Sequence, residues 1–265
     1  VRSWWLGKKK GKEAYIVPKV VGDHIEYSIG HDPKDAPTKD NDGTISGRRG
    51  AVCLSCGDSV SMGYIKNEGL AHRIGASLCA IVCEGRHGRI YVPPTIEQAE
   101  CAEIEVTVSA PRQSLPDDPR NFWTVSYGLD TFDRLFTTRQ LVALTTFSDL
   151  VGEARERVLR DALAGGMSEG SSLESKGTDA VAYADAVSTY LALAGSRQAD
   201  RLSSLSTWQS IGEKVRNVFA RQAIAMAWDF ADVNPFSSSS GNFSSQVEWV
   251  ANVIKYLPTS ISCGV

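Results

Sequence analysis

The sequence predicts an α+β protein, and three features carry that prediction. Up to Val92 it holds paired runs of β-branched and aromatic residues around glycine turns. From Tyr127 onward apolar residues recur at steps of three and four, the period of a helix with one buried face. Between them lies Pro111-Arg-Gln-Ser-Leu-Pro-Asp-Asp-Pro119, a linker by composition. The expected organisation is a β-rich region with a long polar loop over 1–110, a linker over 111–120 and a mainly helical domain over 121–265. A chain of 265 residues, 42% of them hydrophobic, can bury a core as one large domain or two small ones.

The first segment is basic. Arg2, Lys8, Lys9, Lys10 and Lys12 fall within residues 1–12, which hold no acid, whereas Glu97, Glu100, Glu103 and Glu105 cluster without a base. The formal net charge of −3 excludes a surface that is polycationic throughout. A first hairpin follows, with Ala14–Val17 and His24–Ile29 as strands and Gly22-Asp23 as the turn. Residues 31–50 are charged, rich in glycine and proline, and too polar to form core.

Cys53-Leu-Ser-Cys56-Gly57 has the only metal-type spacing in the chain. Two intervening residues let both thiolates face one ion, and the glycine permits a tight turn that aims backbone N–H groups at sulfur. One such pair is half of a four-ligand zinc site, so the N-terminal part is expected to be zinc-ribbon-like; reduced structural thiols are the alternative. Cys79 and Cys83 lie in an apolar run that reads as a strand, where four steps separate them by about 13 Å, too far for one ion. They are expected to be small apolar core residues, and His72 and His87 surface residues. Six cysteines are too few for a secreted disulfide scaffold of this length, so reduced thiols in the cytoplasm are expected. No run approaches the roughly 18 apolar residues that would cross a membrane. The start at Val1 rather than Met suggests a processed start or a cut within a longer polypeptide, of which the cut is expected.

Leu78–Val92 forms a second hairpin around Glu84–Gly88, and Thr95 with Gln98 makes a capping box for a short acidic helix ending near Ile104. In the helical half, Thr137 or Thr138 caps a long helix whose face carries Leu141, Leu144, Phe147, Leu150, Val151, Ala154, Val158 and Leu159 and which Ala164-Gly165-Gly166 ends. At about 1.5 Å per residue it is roughly 40 Å long. Further helices are expected from Asp179 to about Trp208, from Glu213 to about Phe230, and to about Leu257 behind a capping box of Ser245 and Glu248. Dinucleotide- and phosphate-binding glycine loops and the His-Glu-x-x-His metalloprotease pattern are missing from the sequence. Asn234-Pro235-Phe236 is read as a helix stop, and Arg139-Gln140 and Arg221-Gln222 as polar faces of helices.

Trp4–Gly11 (W-W-L-G-K-K-K-G), His31–Gly57, Tyr127–Leu141 and Phe219–Phe236 together resemble, in order, the prokaryotic adenine-specific DNA methylases that contain a zinc ribbon. The resemblance runs over nearly the whole chain and implies an internal section of a longer enzyme. That enzyme's S-adenosylmethionine loop would lie before this region and its catalytic Asp-Pro-Pro-Tyr after it, so the chain alone would be inactive. A first Cys-x-x-Cys pair would lie shortly upstream of Val1, making Cys53 and Cys56 the downstream half of a four-cysteine ribbon. Thr138 departs from the family, which commonly places proline there. The implied function is to position DNA for methyl transfer from S-adenosylmethionine to the exocyclic amine of adenine. Lys8, Lys9, Lys10, Lys12, Arg48 and Arg49 would contact phosphates. Expected partners are DNA, the remaining parts of the parent methylase, and a second copy of the chain sharing one zinc. The alternative is a non-enzymatic ribbon-bearing module that binds a protein.

Overall fold

The computed structural model describes residues 1–46, 50–104 and 107–257. The chain divides into two compact units, Val1–Leu141 with Leu202–Asp232, and Val142–Arg201 with Val233–Val265. Helices and small antiparallel sheets are both present, so the protein is α+β.

In the first unit, β1 (Trp5–Gly7), β2 (Ala14–Val21) and β3 (His24–Gly30) form an antiparallel sheet in that order. The hairpin register runs from Val21 opposite His24 to Tyr15 opposite Gly30. Gly22 takes φ +61° at the turn, a conformation glycine adopts without a Cβ penalty. Only one end of the hairpin is core. Ala14, Tyr15 and Ile16 are buried, and Ala14 and Ile16 pack with Trp4, Leu6 and Tyr91, while Val17, Val20 and Ile25 near the turn stay exposed. Between this hairpin and the next, β4 (Ile45–Ser46), β5 (Gly50–Val52) and β6 (Ser59–Val60) form a second three-stranded sheet.

That sheet leads into α1 (Met62–Leu70), whose first turn Ser61 caps through its hydroxyl at 3.1 Å from the Tyr64 amide. Sequence periodicity misses this helix, which exposes Tyr64 and Leu70 and buries only Gly69. α1 ends against the 3-10 turn Trp123–Tyr127. Gly69 and Gly128 meet there so closely that a methyl on either would overlap the other segment's backbone.

Tyr91 of the first core comes from the second hairpin, β7 (Ile81–Gly85) with β8 (Gly88–Val92). Cys79 is half-buried against this cluster. Cys83 is exposed, contrary to the expected core role, because among the described residues its hairpin pairs with no third strand and leaves one face to solvent. The capping box of α2 (Ile96–Ala102) forms as expected.

The second cluster of this unit gathers Leu115, Leu135, Leu205 and Ile224. Leu115 belongs to the stretch expected as a linker, yet it is buried and its amide bonds the Asp130 carbonyl at 2.8 Å. The helix expected over Glu213–Phe230 does not form. That segment holds only the short strand β10 (Lys214–Val215), paired with β9 (Trp208–Gln209), and a bridge from Ile224 to Phe122. Its backbone bonds go elsewhere: Arg216 N–H to the Thr207 carbonyl (2.9 Å), Ile224 N–H to the Asn121 carbonyl (2.6 Å) and Trp123 N–H to the Ile224 carbonyl (3.1 Å). Partners distant in sequence outcompete the helical ladder for these groups, and Val215 and Ile224 are buried without it.

In the second unit, α3 (Thr138–Ala164) continues from the first, α4 spans Ala180–Ala199 and α5 spans Phe243–Ile254. Gly166 at φ +91° follows the end of α3 as the sequence predicts. α4 stops well before Trp208. The serine-rich run after it turns its hydroxyls onto backbone, with Ser203 Oγ donating to the Leu135 carbonyl at 2.7 Å. α5 starts earlier than expected because Asn242, not Ser245, accepts the capping bond, from the Ser245 amide at 2.8 Å. Asn234-Pro235-Phe236 stops no helix; the Asn234 side chain accepts from the Phe236 amide at 2.9 Å in a local turn. α4 and α5 pack together, and the wholly buried side chains on α4 are Ala180, Ala184, Ala194 and Gln198.

Candidate metal turn and its surroundings

Cys53–Asp58 is the connection between β5 and β6. The Cys53 amide bonds the Asp58 carbonyl at 2.9 Å and the Gly57 amide returns to the Cys53 carbonyl at 3.0 Å, closing a tight loop that needs Gly57 at φ +77°. Inside it the backbone N–H of Cys56, then that of Ser55, then the Cys56 thiol point at the Cys53 sulfur and hold its thiol below the ordinary range. Amide-to-sulfur bonds favour the thiolate, the form that ligates metals. Cys56 is exposed and Cys53 half-buried, so both sulfurs are reachable from solvent. Among the described residues no group of three or more His, Cys, Asp or Glu side chains is arranged to hold an ion. The pair therefore supplies two donors of suitable chemistry, and a four-ligand site would need further ligands from elsewhere.

The basic segment is the β1–β2 connection. Lys8 and Lys10 are exposed, with the Lys8 ammonium 4.9 Å from the centre of the Trp5 ring. Lys12 Nζ donates to the His87 carbonyl at 2.7 Å. Lys9 is paired with Glu213, whose other carboxylate oxygen accepts from the Tyr91 hydroxyl at 3.0 Å. Burial opposes the charge on Glu213, but hydrogen bonds from Lys9 and Tyr91 prevail and hold its carboxyl below the usual range. The Tyr91 hydroxyl is pushed up by burial first and by the Glu213 carboxylate second. Glu213 adopts φ +49°, an uncommon conformation for a non-glycine residue, and these two partners fix it there. Arg48 and Arg49 lie outside the described residues.

Arg139 and Gln140 do not form a solvated polar face. Gln140 is buried, accepts from the Thr137 amide (2.9 Å) and donates its own backbone amide to the Thr137 hydroxyl (3.3 Å), a capping box that starts α3. Its side-chain amide donates to Asp232 at 2.8 Å, and Arg139 pairs with the same carboxylate. Arg221 is exposed and Gln222 too, and they lie on no helix. His72 is exposed, with Arg134 Nη1 2.8 Å from its Nε2, and His87 is exposed as expected.

The first unit also contains a cavity of about 650 Å³ that sequence patterns do not reveal. Met62, Lys66 and Leu70 line one side, spaced four apart on α1 and so on one helical face. Trp123, Tyr127 and Trp228 add three aromatic rings to the lining. That spacing was the available signal, but one cation within an apolar stripe also describes an ordinary surface helix.

No family model matches this chain, and neither a curated protein nor a solved structure matches it. No helix among the described residues is long and apolar enough to cross a membrane.

Proposed function

We propose that this chain is the DNA-positioning section of a zinc-ribbon-containing, adenine-specific DNA methyltransferase and is inactive by itself. The observation that supports the reading is the Cys53–Gly57 turn, in which strand pairing and the left-handed glycine bring two cysteines into one short loop and backbone amides favour the thiolate of Cys53. Cys53 and Cys56 would hold half of a structural zinc, and the bound ion would cross-link this turn to a second cysteine pair. That pair would come from the preceding part of the parent enzyme or from another copy of this chain. The methyl donor, S-adenosylmethionine, and the reacting residues belong to the rest of the enzyme.

In this reading exposed Lys8 and Lys10 would meet phosphates, with Arg48 and Arg49 as further candidates, whereas Lys9 pairs with Glu213 and Lys12 donates to the His87 carbonyl. Each phosphate contact contributes about 0.9 to the slope of log affinity against log salt. The test is zinc content per chain together with duplex DNA binding at two salt concentrations. The expected result is one zinc per two chains, with binding that weakens as salt rises. Lys8→Ala and Lys10→Ala should each lower the slope by about 1, and Lys9→Ala by less. Duplex DNA left unbound at low salt would overturn the reading, whereas DNA binding without zinc uptake would assign the second cysteine pair to the preceding part of the parent enzyme.

A second reading, a protein-interaction module, is favoured by α5. On it Trp249, under the Arg197 guanidinium at 4.9 Å, and Val253 are exposed, as is Tyr256 just beyond its end. Tyr256→Ser should leave DNA binding intact if the first reading holds.

A further inference from the structure

We propose that the cavity between α1 and the Trp123–Tyr127 turn is a nucleotide site that stacks one nucleobase on Trp123 and holds its phosphate with Lys66 and Arg2. It is separate from the metal turn and does not depend on Cys53 or Cys56.

The volume, about 650 Å³, falls within the range of about 300–1,000 Å³ of small-molecule pockets. The ring that would carry the stack is half-exposed yet fixed: Trp123 is 51% accessible, and its indole N–H donates to the Arg120 carbonyl at 2.9 Å. An open aromatic face held by its own hydrogen bond loses little freedom when a ligand lies on it. Tyr127 and Trp228, also in the lining, meet edge to face at 5.1 Å.

Charge then separates the possible ligands. Aromatic walls alone would equally suit an organic cation. Here Lys66 already lies over the Tyr127 ring at 5.6 Å, and Arg2 adds a second positive charge, so a cationic guest would meet repulsion. Of the two carboxylates at the rim, Asp118 is committed to the fold. It accepts from the Arg120 amide at 2.9 Å and the Asn121 side chain at 2.7 Å, and these bonds, Asn121 first, hold its carboxyl below the usual range. Within the lining this leaves Asp117 to face Lys66 and Arg2, while Asp229, outside the lining, accepts from the Arg2 backbone amide at 3.4 Å. A flat π-system with N–H donors on its edge and an anionic tail matches this lining, and a nucleotide combines the three features. Both a free nucleoside monophosphate and an unpaired nucleotide within a strand have that chemistry.

The experiment follows tryptophan fluorescence of the 265-residue protein during titration with adenosine monophosphate, a short oligothymidylate, adenosine and inorganic phosphate. Saturable quenching by the first or second probe is expected. Trp123→Ala should weaken it by about tenfold, the size of one lost base stack. Lys66→Ala, on an exposed helical position, should bring adenosine monophosphate close to adenosine while leaving circular dichroism unchanged. Tighter binding of the oligonucleotide assigns a strand nucleotide, and tighter binding of the monophosphate assigns a free one. Cys53→Ser with Cys56→Ser should leave the titration unchanged, which separates this site from the metal turn. Absence of quenching up to millimolar probe, equal binding by Trp123→Ala, or phosphate binding as well as the nucleotide would overturn the proposal.

Discussion

Leu135, in the first unit, is inaccessible to solvent, whereas Leu150, on α3 in the second, is 46% exposed. The same contrast runs through both units. The first closes its cores with segments far apart in sequence: Trp208 donates to the Leu6 carbonyl at 2.6 Å, Ser203 to that of Leu135, and Ile224 bridges Phe122. The second consists of helices whose fully buried positions on α4 are mostly alanines, while Leu150, Leu163, Leu193 and Trp249 remain exposed. Helices can form from local ladders and a half-covered face. Two- and three-residue strands cannot, and they persist only where distant chain completes the core.

The sharpest way to break this contrast is a matched pair of truncations. Leu135→Ala should cost about 2–5 kcal/mol, as buried leucine deletions do, whereas Leu150→Ala should cost about 0.5 kcal/mol or less. Urea midpoints for the two variants measure the difference, and equal losses would show that the second unit is as tightly packed as the first. A smaller effect, on the order of 1–3 kcal/mol, is expected for Gly128→Ala, which must both hold φ +82° and displace the Gly69 backbone. Gly152→Ala, in α3 with open space around it, should instead be neutral or stabilising in thermal unfolding.

The smallest effect is a pH dependence specific to the helical unit. Asp185 accepts from the Leu173 amide at 2.9 Å and from Arg155 at 2.7 Å, and these bonds, the amide first, hold its carboxyl below its ordinary value. The folded state thus favours the ionised form. Its contribution is complete above the unfolded value of about 3.9 and is lost as pH falls through the lower folded value. Asp185→Asn should therefore lower stability near neutrality and flatten the loss below about pH 4, read by circular dichroism melting across that range. An unchanged acid limb would mean that other carboxylates govern it.

The difference between the units also explains what could be read in advance. The first hairpin, the Thr95 capping box and the long helix with its glycine stop each rest on signals within a few residues, and each was legible. The segment from Glu213 to Phe230 was not. Val215, Val218, Phe219, Ile224 and Trp228 have near-helical spacing, but the backbone of Val215 pairs with Trp208 and that of Ile224 with Asn121 and Trp123. Of the candidate sites, the Cys53-x-x-Cys56-Gly57 turn was legible because its geometry is local. The cavity was not, because α1, the Trp123–Tyr127 turn and Trp228 are brought together only by the fold.

By itself the sequence determined the hairpin turns, the limits of α3, the cysteine turn and the basic character of residues 1–12, since each is a matter of φ preference, capping or charge within a few residues; it did not determine that Trp5–Gly7 would pair as a strand. Only the tertiary structure decided that Leu115 would be core, that Gln140 would be buried, that Lys9 would fold back onto Glu213, and that residues 202–232 would join the first unit. Those outcomes depend on which distant groups satisfy buried backbone and charge, and local sequence carries no record of that competition.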